Sequence, residues 1–316
     1  MKLNVALLLA VGIALQEHAV PPEDPASPVH PRKFGSPGGI GETRGWYFWE
    51  SFDAETWKAV VRHGEKGERY TVRVLPWATT YRHLTYGAHP DELFPGERVN
   101  LFFNHEGDVK RAYLVHFQDE IGQMKGHGHF WQVEEVDGRS FTARGMSKEK
   151  PLDPAAARFT LDEGCAIWRG GKQVKDLTVA KGDAIYLTWC ADGDRRVVKL
   201  LADGASLDAL REESAKKTRE RLEKEGLAGF IEGETTLLVF ATFWSQAAEL
   251  KPGRKLLLKG TDARLCATGD GIEAKVASRK NLGAYGSGAT EVVLEGAPAE
   301  TVRGWTGGKV VRAFLR

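Results

Sequence analysis

Hydrophobic and polar positions alternate over short stretches along most of this chain, which is the pattern of strands that bury one face. Turn residues separate these stretches, as at Asp137-Gly138, where the glycine tolerates the positive φ of a hairpin turn. The same pattern recurs near the end of the chain at 272–277, 290–294 and 309–315. Many short strands at close spacing are typical of sandwiches and small barrels, so we expect a mainly β protein.

Two stretches have a helical pattern instead. Ser206 is a good N-cap residue and Gly226 is a good helix terminator. Between them, leucines and small polar residues recur at helical spacing, at Leu207, Leu210, Ser214, Thr218 and Leu222. The sequence therefore predicts one inserted amphipathic helix at about 206–225, packed onto a barrel by a narrow face; the alternative is a helix that docks a partner. A shorter helix is predicted from Asp53 to His63, before Gly64.

A short pattern occurs three times: an apolar residue, a turn that contains glycine, and then a strand. It is found at 93–101, 179–187 and 250–258. In the first two copies a Gly-Asp turn follows eleven residues after the turn glycine, at Gly107-Asp108 and Gly193-Asp194. The match over this length predicts a repeated unit, and its hairpins and crossing strand suit a small OB-like or SH3-like barrel.

The start of the chain predicts export. Residues 1–19 combine Lys2 with a short apolar run and small residues, which is the pattern of a secretory signal peptide. The alternative is a buried N-terminal strand or helix. Residues 20–41 hold six of the 13 prolines and four glycines, so we expect an extended linker. The protein is then periplasmic or secreted.

The remaining chain divides by the repeated pattern into three units. We place the first barrel at 42–125, the second with its helix at 126–226, and the third at 227–316. Each unit has roughly 90 residues, which is a reasonable size for a small decorated barrel.

Three motifs carry a resemblance to a known group of proteins. They are the strand 181–189, the basic-apolar stretch 195–198 and the helix start 205–210. With these motifs the chain resembles uncharacterised exported bacterial proteins, a domain of unknown function built from small OB-like barrel repeats. The resemblance implies a fold and implies no catalytic residues, because its motifs are structural turns.

Composition and charge narrow the classes of function. Lys and Arg number 44 and Asp and Glu number 43, so the net charge is +1. A nucleic-acid-binding protein usually has a basic excess, so we expect no nucleic-acid partner. We also expect no stable membrane insertion after signal cleavage. The chain has no nucleophile elbow, phosphate-binding loop, dinucleotide motif or zinc-protease helix motif, which favours a role without catalysis.

The histidines offer one candidate metal site. His127 and His129 are two residues apart and would project from the same face of a strand. His116 and His105 precede them and could supply a third ligand. Imidazole ligands suit Zn or Cu, and a site with three protein ligands leaves a position for water or substrate. The alternative is that the pair lies on an exposed loop or strand end.

Aromatic residues offer a candidate binding surface. Trp46, Trp49 and Trp57 lie in an aromatic-rich stretch, and exposed aromatic rings in exported proteins can stack on sugars. The alternative is that these rings fill a core or an interface between units.

The three cysteines allow either a disulfide or free thiols. Cys165 and Cys190 are both predicted on strands of the second unit, and they form the candidate disulfide of an exported chain. The alternative is two buried thiols without a bond. Cys266 is a poor candidate nucleophile because no histidine follows position 129.

These observations favour an exported, non-catalytic binding or assembly module of the cell envelope, with a protein or a glycan as its partner. One alternative is a metal-dependent enzyme, a hydrolase or redox protein, centred on His127 and His129. The other alternative is a purely structural repeat protein.

Overall fold

The computed structural model describes residues 42–104, 113–175, 179–233, 235–239, 248–281, 290–306 and 309–316. It confirms a mainly β protein built from small closed barrels, with one long helix between them. The predicted signal peptide and linker lie outside the described residues. Within the described ranges, no helix is both long enough and apolar enough to span a bilayer.

Barrel 1 has five main strands: β1 (Glu42–Asp53), β2 (Lys58–His63), β3 (Arg69–Arg82), β5 (Glu97–Asn104) and β6 (Tyr113–Asp119). The first three form an antiparallel meander, β3 then pairs in parallel with β6, and β5 pairs with both β6 and β1 to close the barrel. A two-residue strand, β4 (Thr85–Tyr86), pairs with the end of β3. This is a five-stranded barrel of the OB type.

The prediction of a short helix from Asp53 to His63 is wrong. Most of that stretch is strand β2, in which Ala59 and Val61 alternate with outward residues and are fully buried in the barrel 1 core. The tertiary burial of two alternate positions outweighs the weak helical pattern.

Barrel 2 repeats the same strand order. Its main strands are β7 (His129–Asp137), β8 (Ser140–Ser147), β10 (Ala157–Arg169), β12 (Ala184–Asp192) and β13 (Arg195–Asp203). Here β10 pairs in parallel with β13, and β12 pairs with β7 to close the barrel. Two short strands, β9 (Lys150–Pro151) and β11 (Lys172–Val174), pair antiparallel with β8 and β10.

The repeated turn begins an equivalent strand in barrels 1 and 2, and in barrel 3 it also precedes a strand. Gly96, Gly182 and Gly253 have φ values of 80°, 92° and 84°, a conformation that glycine adopts without strain. At Gly96 a second constraint applies, because an added Cβ would lie 2.5 Å from the carbonyl oxygen of Ala191 in barrel 2. The first turn therefore also sets the close approach of the two barrels.

A short helix, α1 (Glu120–Gly126), connects barrels 1 and 2. It begins at Asp119, whose side chain accepts a hydrogen bond from the backbone N–H of Gly122. The predicted unit boundary at 125/126 falls within this helix. The Glu120 carboxylate is buried between the barrels.

Glu120 joins the two barrels through its side chain. It accepts hydrogen bonds from the indole N–H groups of Trp131 at 2.9 Å and Trp189 at 2.7 Å, both in barrel 2. The guanidinium of Arg98, on β5 of barrel 1, lies 3.0 Å from the same carboxylate. One buried acceptor thus fixes donors from both barrels.

The predicted long helix is confirmed as α2 (Leu207–Glu225), which follows a 3₁₀ turn, η2 (Gly204–Ser206). Ser206 occupies the N-cap position, but its hydroxyl donates to Asp203 and does not cap the helix. The helix ends at Gly226, whose φ of 76° takes the chain out of the helix. Only a narrow face is buried, at Leu207, Leu210 and Thr218.

Barrel 3 follows α2 and contains six strands: β14 (Leu227–Glu232), β15 (Thr236–Val239), β16 (Lys255–Thr261), β17 (Ala267–Asn281), β18 (Thr290–Glu295) and β19 (Val310–Leu315). They close in the order β14-β15-β18-β17-β16-β19, in which β16 to β19 form a Greek key. A short helix, α3 (Ala299–Arg303), lies between β18 and β19. Phe230 and Val310 pack into the core of barrel 1, so barrels 1 and 3 are in direct contact.

Candidate functional site

A cleft of about 300 Å³ lies where barrel 1, barrel 2 and helix α2 meet. Its volume is at the lower end of the range found for small-ligand sites. Each of the three parts contributes one wall, and 10 of the 17 lining residues are polar or charged. We call this site the junction cleft.

The barrel 1 wall is formed where β3 turns into β4. His83 and Leu84 both have positive φ, at 48° and 63°, which is a strained conformation for residues with side chains. The turn is held by the backbone N–H of His83, which donates to Asp119 at 2.8 Å. Burial lowers the pKa of His83 well below its usual value, so its imidazole is neutral at neutral pH.

Arg82 is the most deeply placed cation of this wall, and only 6% of it is exposed. Its Nη2 donates to the Glu97 carboxylate at 2.8 Å, and its Nη1 donates to the backbone carbonyl of Glu92. The guanidinium lies over the exposed ring of Phe94, 5.2 Å from its centroid. Nε of Arg82 has no hydrogen-bond partner among the described residues.

The barrel 2 wall is formed by the second half of β10. The register of β10 against β13 shifts between Leu161 and Ala166, as at a β-bulge. After the shift, Ile167 points into the barrel core, while Ala166 and Trp168 line the cleft. Lys199 from β13 completes this wall and pairs with Asp162 at 3.1 Å.

The helical wall explains why there is a cavity at all. The inner face of α2 begins with Leu207 and Leu210, which pack tightly, and continues with the small polar Ser214. Lys217 is on the next turn and lies 3.7 Å from the Glu213 carboxylate. Because the leucines on this face are followed by the small polar side chains of Ser214 and Thr218, the helix covers the space without filling it.

The two carboxyl groups whose pKa values are strongly raised lie behind the cleft. Burial raises the pKa of Glu97 to about 7 and that of Asp119 to about 6. Both side chains are fully buried, and neither lines the cleft. The groups that a ligand would touch are therefore hydrogen-bonding side chains and aromatic rings.

The predicted metal ligands are only partly brought together. His127 is the C-cap residue that follows α1 and His129 begins β7, and their rings stack with centroids 5.6 Å apart. His116 is on β6, with its ring 4.7 Å from that of Phe102. His105 lies outside the described residues. Within the described part of the chain, no group of three or more His, Cys, Asp or Glu side chains is placed to hold a metal ion.

The predicted tryptophans take up structural positions. Trp49 and Trp57 are 1% and 9% exposed and belong to the core of barrel 1, so neither offers an open ring face to a sugar. Trp46 is half-buried, and the guanidinium of Arg98 lies 3.8 Å from its ring centroid. The aromatic rings of the cleft are Phe94 and Trp168 instead.

The candidate disulfide between Cys165 and Cys190 is not formed, and all three cysteines are free. Cys165 is on β10 and Cys190 is on β12, and β13 lies between these strands. Strands two apart are separated by about 9–10 Å, whereas a disulfide needs Cα atoms within about 7 Å. Burial raises the pKa of both thiols to about 12.

Sequence reasoning missed the cleft residues because they come from distant segments. One signal was present in the predicted helix, where Ser214 and Thr218 interrupt a stripe that leucines begin and end. A polar break in an otherwise buried stripe indicates a position where the helix does not pack against a core.

No family model matches this chain. A search of curated proteins finds no match either. Among solved structures, one described as "Crystal structure of the tetrameric p202 HIN2" is 12% identical with a TM-score of 0.17, covering 51% of this chain and 89% of that one. Another, described as "Structural mimicry for functional antagonism", is 11% identical with a TM-score of 0.15, covering 54% and 96%. Scores this low support no conclusion about fold or function.

Proposed function

We propose that this protein is an exported, non-catalytic binding module of the cell envelope that holds a glycan in the junction cleft. The observation that carries the proposal is the combination of two aromatic rings, Phe94 and Trp168, with a wall of polar side chains. A sugar ring has apolar C–H faces that pack on aromatic rings and hydroxyls that need hydrogen-bond partners. Export rests on the signal peptide predicted at 1–19.

The polar lining favours a glycan over the other ligand classes. Pockets for apolar small molecules are lined mainly by hydrophobic side chains, whereas most residues of this cleft are polar or charged. A protein partner would need a much larger contact area than a concave site of about 300 Å³ can offer. We therefore choose the glycan from the two predicted kinds of partner.

The proposal is tested by screening the purified protein on a glycan array and measuring hits by titration calorimetry. Trp168→Ala should weaken binding about tenfold or more, since it removes a stacking surface worth about 1 kcal/mol plus its buried area. Trp305→Ala, which changes another half-buried tryptophan in barrel 3, is the matched control and should bind normally. A blank array, or equal affinity of the Trp168→Ala variant, would overturn the proposal and favour a purely structural role.

A further inference from the structure

We propose that the glycan bound in the junction cleft carries an anionic substituent, a carboxylate or a sulfate, that is held by Arg82 with Lys199 and Lys217. The inference rests on the proposed glycan-binding function and names the class of sugar. It follows from hydrogen bonding, from the charges of the lining residues and from their existing ion pairs.

The first argument is the hydrogen-bonding state of Arg82. Its side chain lines the cleft, and its hydrogen bonds to the Glu92 carbonyl and the Glu97 carboxylate use one N–H of Nη1 and one N–H of Nη2. Each of these nitrogens has a second N–H, and because an arginine has only donors, a ligand has to meet it with an acceptor. An anionic oxygen is the acceptor that stabilises a guanidinium most.

The second argument is the balance of charge on the walls. Three lining side chains are cationic, Arg82, Lys199 and Lys217, and two are acidic, Glu92 and Glu213. His83 adds no charge at neutral pH, because burial holds its pKa well below the usual value. The lining therefore has an excess of positive charge, although the whole chain is almost neutral.

The third argument is that both lining acids already have cationic partners. Glu92 accepts the backbone N–H of His89 at 2.6 Å and lies 3.8 Å from Arg221. Glu213 lies 3.7 Å from Lys217 on its own helix. The two lining acids are thus balanced by Arg221 and Lys217, which leaves Arg82 and Lys199 as lining cations without a partner among the lining acids.

If Arg82 had only a structural role, it would not distinguish an acidic sugar from a neutral one. Its bonds to Glu97 and to the Glu92 carbonyl use Nη2 and Nη1 and tie the 3₁₀ turn η1 (Pro90–Glu92) to β5. Such a role predicts a change in stability and equal affinity for neutral and acidic sugars. Recognition of an anion predicts that affinity changes for the acidic sugar alone.

The test compares three oligosaccharides of equal length by calorimetry: one of galacturonic acid, one of galactose and one of sulfated galactose. We expect an anionic oligosaccharide to bind at least about tenfold more tightly than the neutral one, and the difference to shrink as salt is raised. The stronger of the two anionic ligands identifies the substituent as carboxylate or sulfate.

Two variants locate the effect. Arg82→Gln should make the affinities for the acidic and the neutral oligosaccharide nearly equal. Lys199→Gln changes a more exposed position and should not affect folding; it should weaken the binding of the acidic oligosaccharide alone, several-fold. Lys251→Gln, an exposed lysine in barrel 3, is the matched control. Equal affinity for neutral and acidic sugars would overturn this inference and leave the glycan-binding proposal standing. Failure to bind any of the three, together with a blank array, would overturn both.

Discussion

Removal of the Glu120 carboxylate is the sharpest test of how the two barrels are held together. Its side chain is 1% exposed and accepts from two indole N–H groups, at 2.9 and 2.7 Å, and from Arg98 at 3.0 Å. Glu120→Ala leaves three donors without an acceptor, and each costs about 1–3 kcal/mol. Since some water can enter the space, we expect a loss of about 3–5 kcal/mol in the free energy of unfolding.

The conservative variant adds a graded step. Glu120→Gln keeps one acceptor oxygen but turns a donor toward donors, so we expect roughly half the loss, about 2 kcal/mol. Urea unfolding followed by tryptophan fluorescence is suitable, because Trp131 and Trp189 report on the site directly. Glu134→Ala removes a more exposed carboxylate paired with Arg144 at 2.6 Å and should have little effect. A loss below about 1 kcal/mol for Glu120→Ala would refute the reasoning.

Three further predictions concern the cleft, pH and the thiols. Ser214→Leu should extend the apolar stripe into the cleft, leave Tm unchanged or raised, and abolish glycan binding in calorimetry; normal affinity would place the ligand elsewhere. Burial raises the pKa of Glu97 from 4.5 to about 7, so the native state binds more protons than the unfolded chain between these values. This contribution to stability, up to about 3 kcal/mol, should decrease as the pH rises from about 4.5 and be lost above about 7, and urea unfolding of Glu97→Gln should not show this pH dependence. At pH 8, Ellman's reagent should modify the exposed Cys266 at once, the half-buried Cys165 more slowly and the buried Cys190 only after denaturation; equal rates for all three would contradict this order of exposure.

The barrels could be predicted from the sequence because their signals are local. A turn glycine with positive φ and an alternating strand are adjacent in the chain, as at Gly96 and Gly182. The signals of the long helix are equally local: its residues recur at i to i+4 spacing, and it ends at Gly226. Where local and tertiary preferences disagreed, as in β2, the sequence pattern predicted the wrong element, since the buried alternation extends over only a few residues.

The cleft could not be predicted, because none of its walls is a motif. Arg82, Trp168 and Ser214 are far apart in the chain and meet only after two barrels and a helix have packed. The sequence predicts a metal site at His127 and His129 because the two residues are close together in the chain. Among the described residues, however, no third ligand joins them. Proximity in the chain is a signal for turns and helices, and it says little about a site built between domains.

Helix α2 is the element that couples this site to the arrangement of the barrels. It follows barrel 2 directly in the chain, but its bonds run to barrel 1. Thr85 donates to the Arg211 carbonyl at 3.2 Å, and Arg221 donates to the Gly87 carbonyl. The helix can therefore cover the cleft only while barrels 1 and 2 stay docked, and the hydrogen bonds of Glu120 contribute to that docking. It follows that a ligand held under the helix should stabilise the docked state, and that Glu120→Ala should weaken binding without touching the cleft.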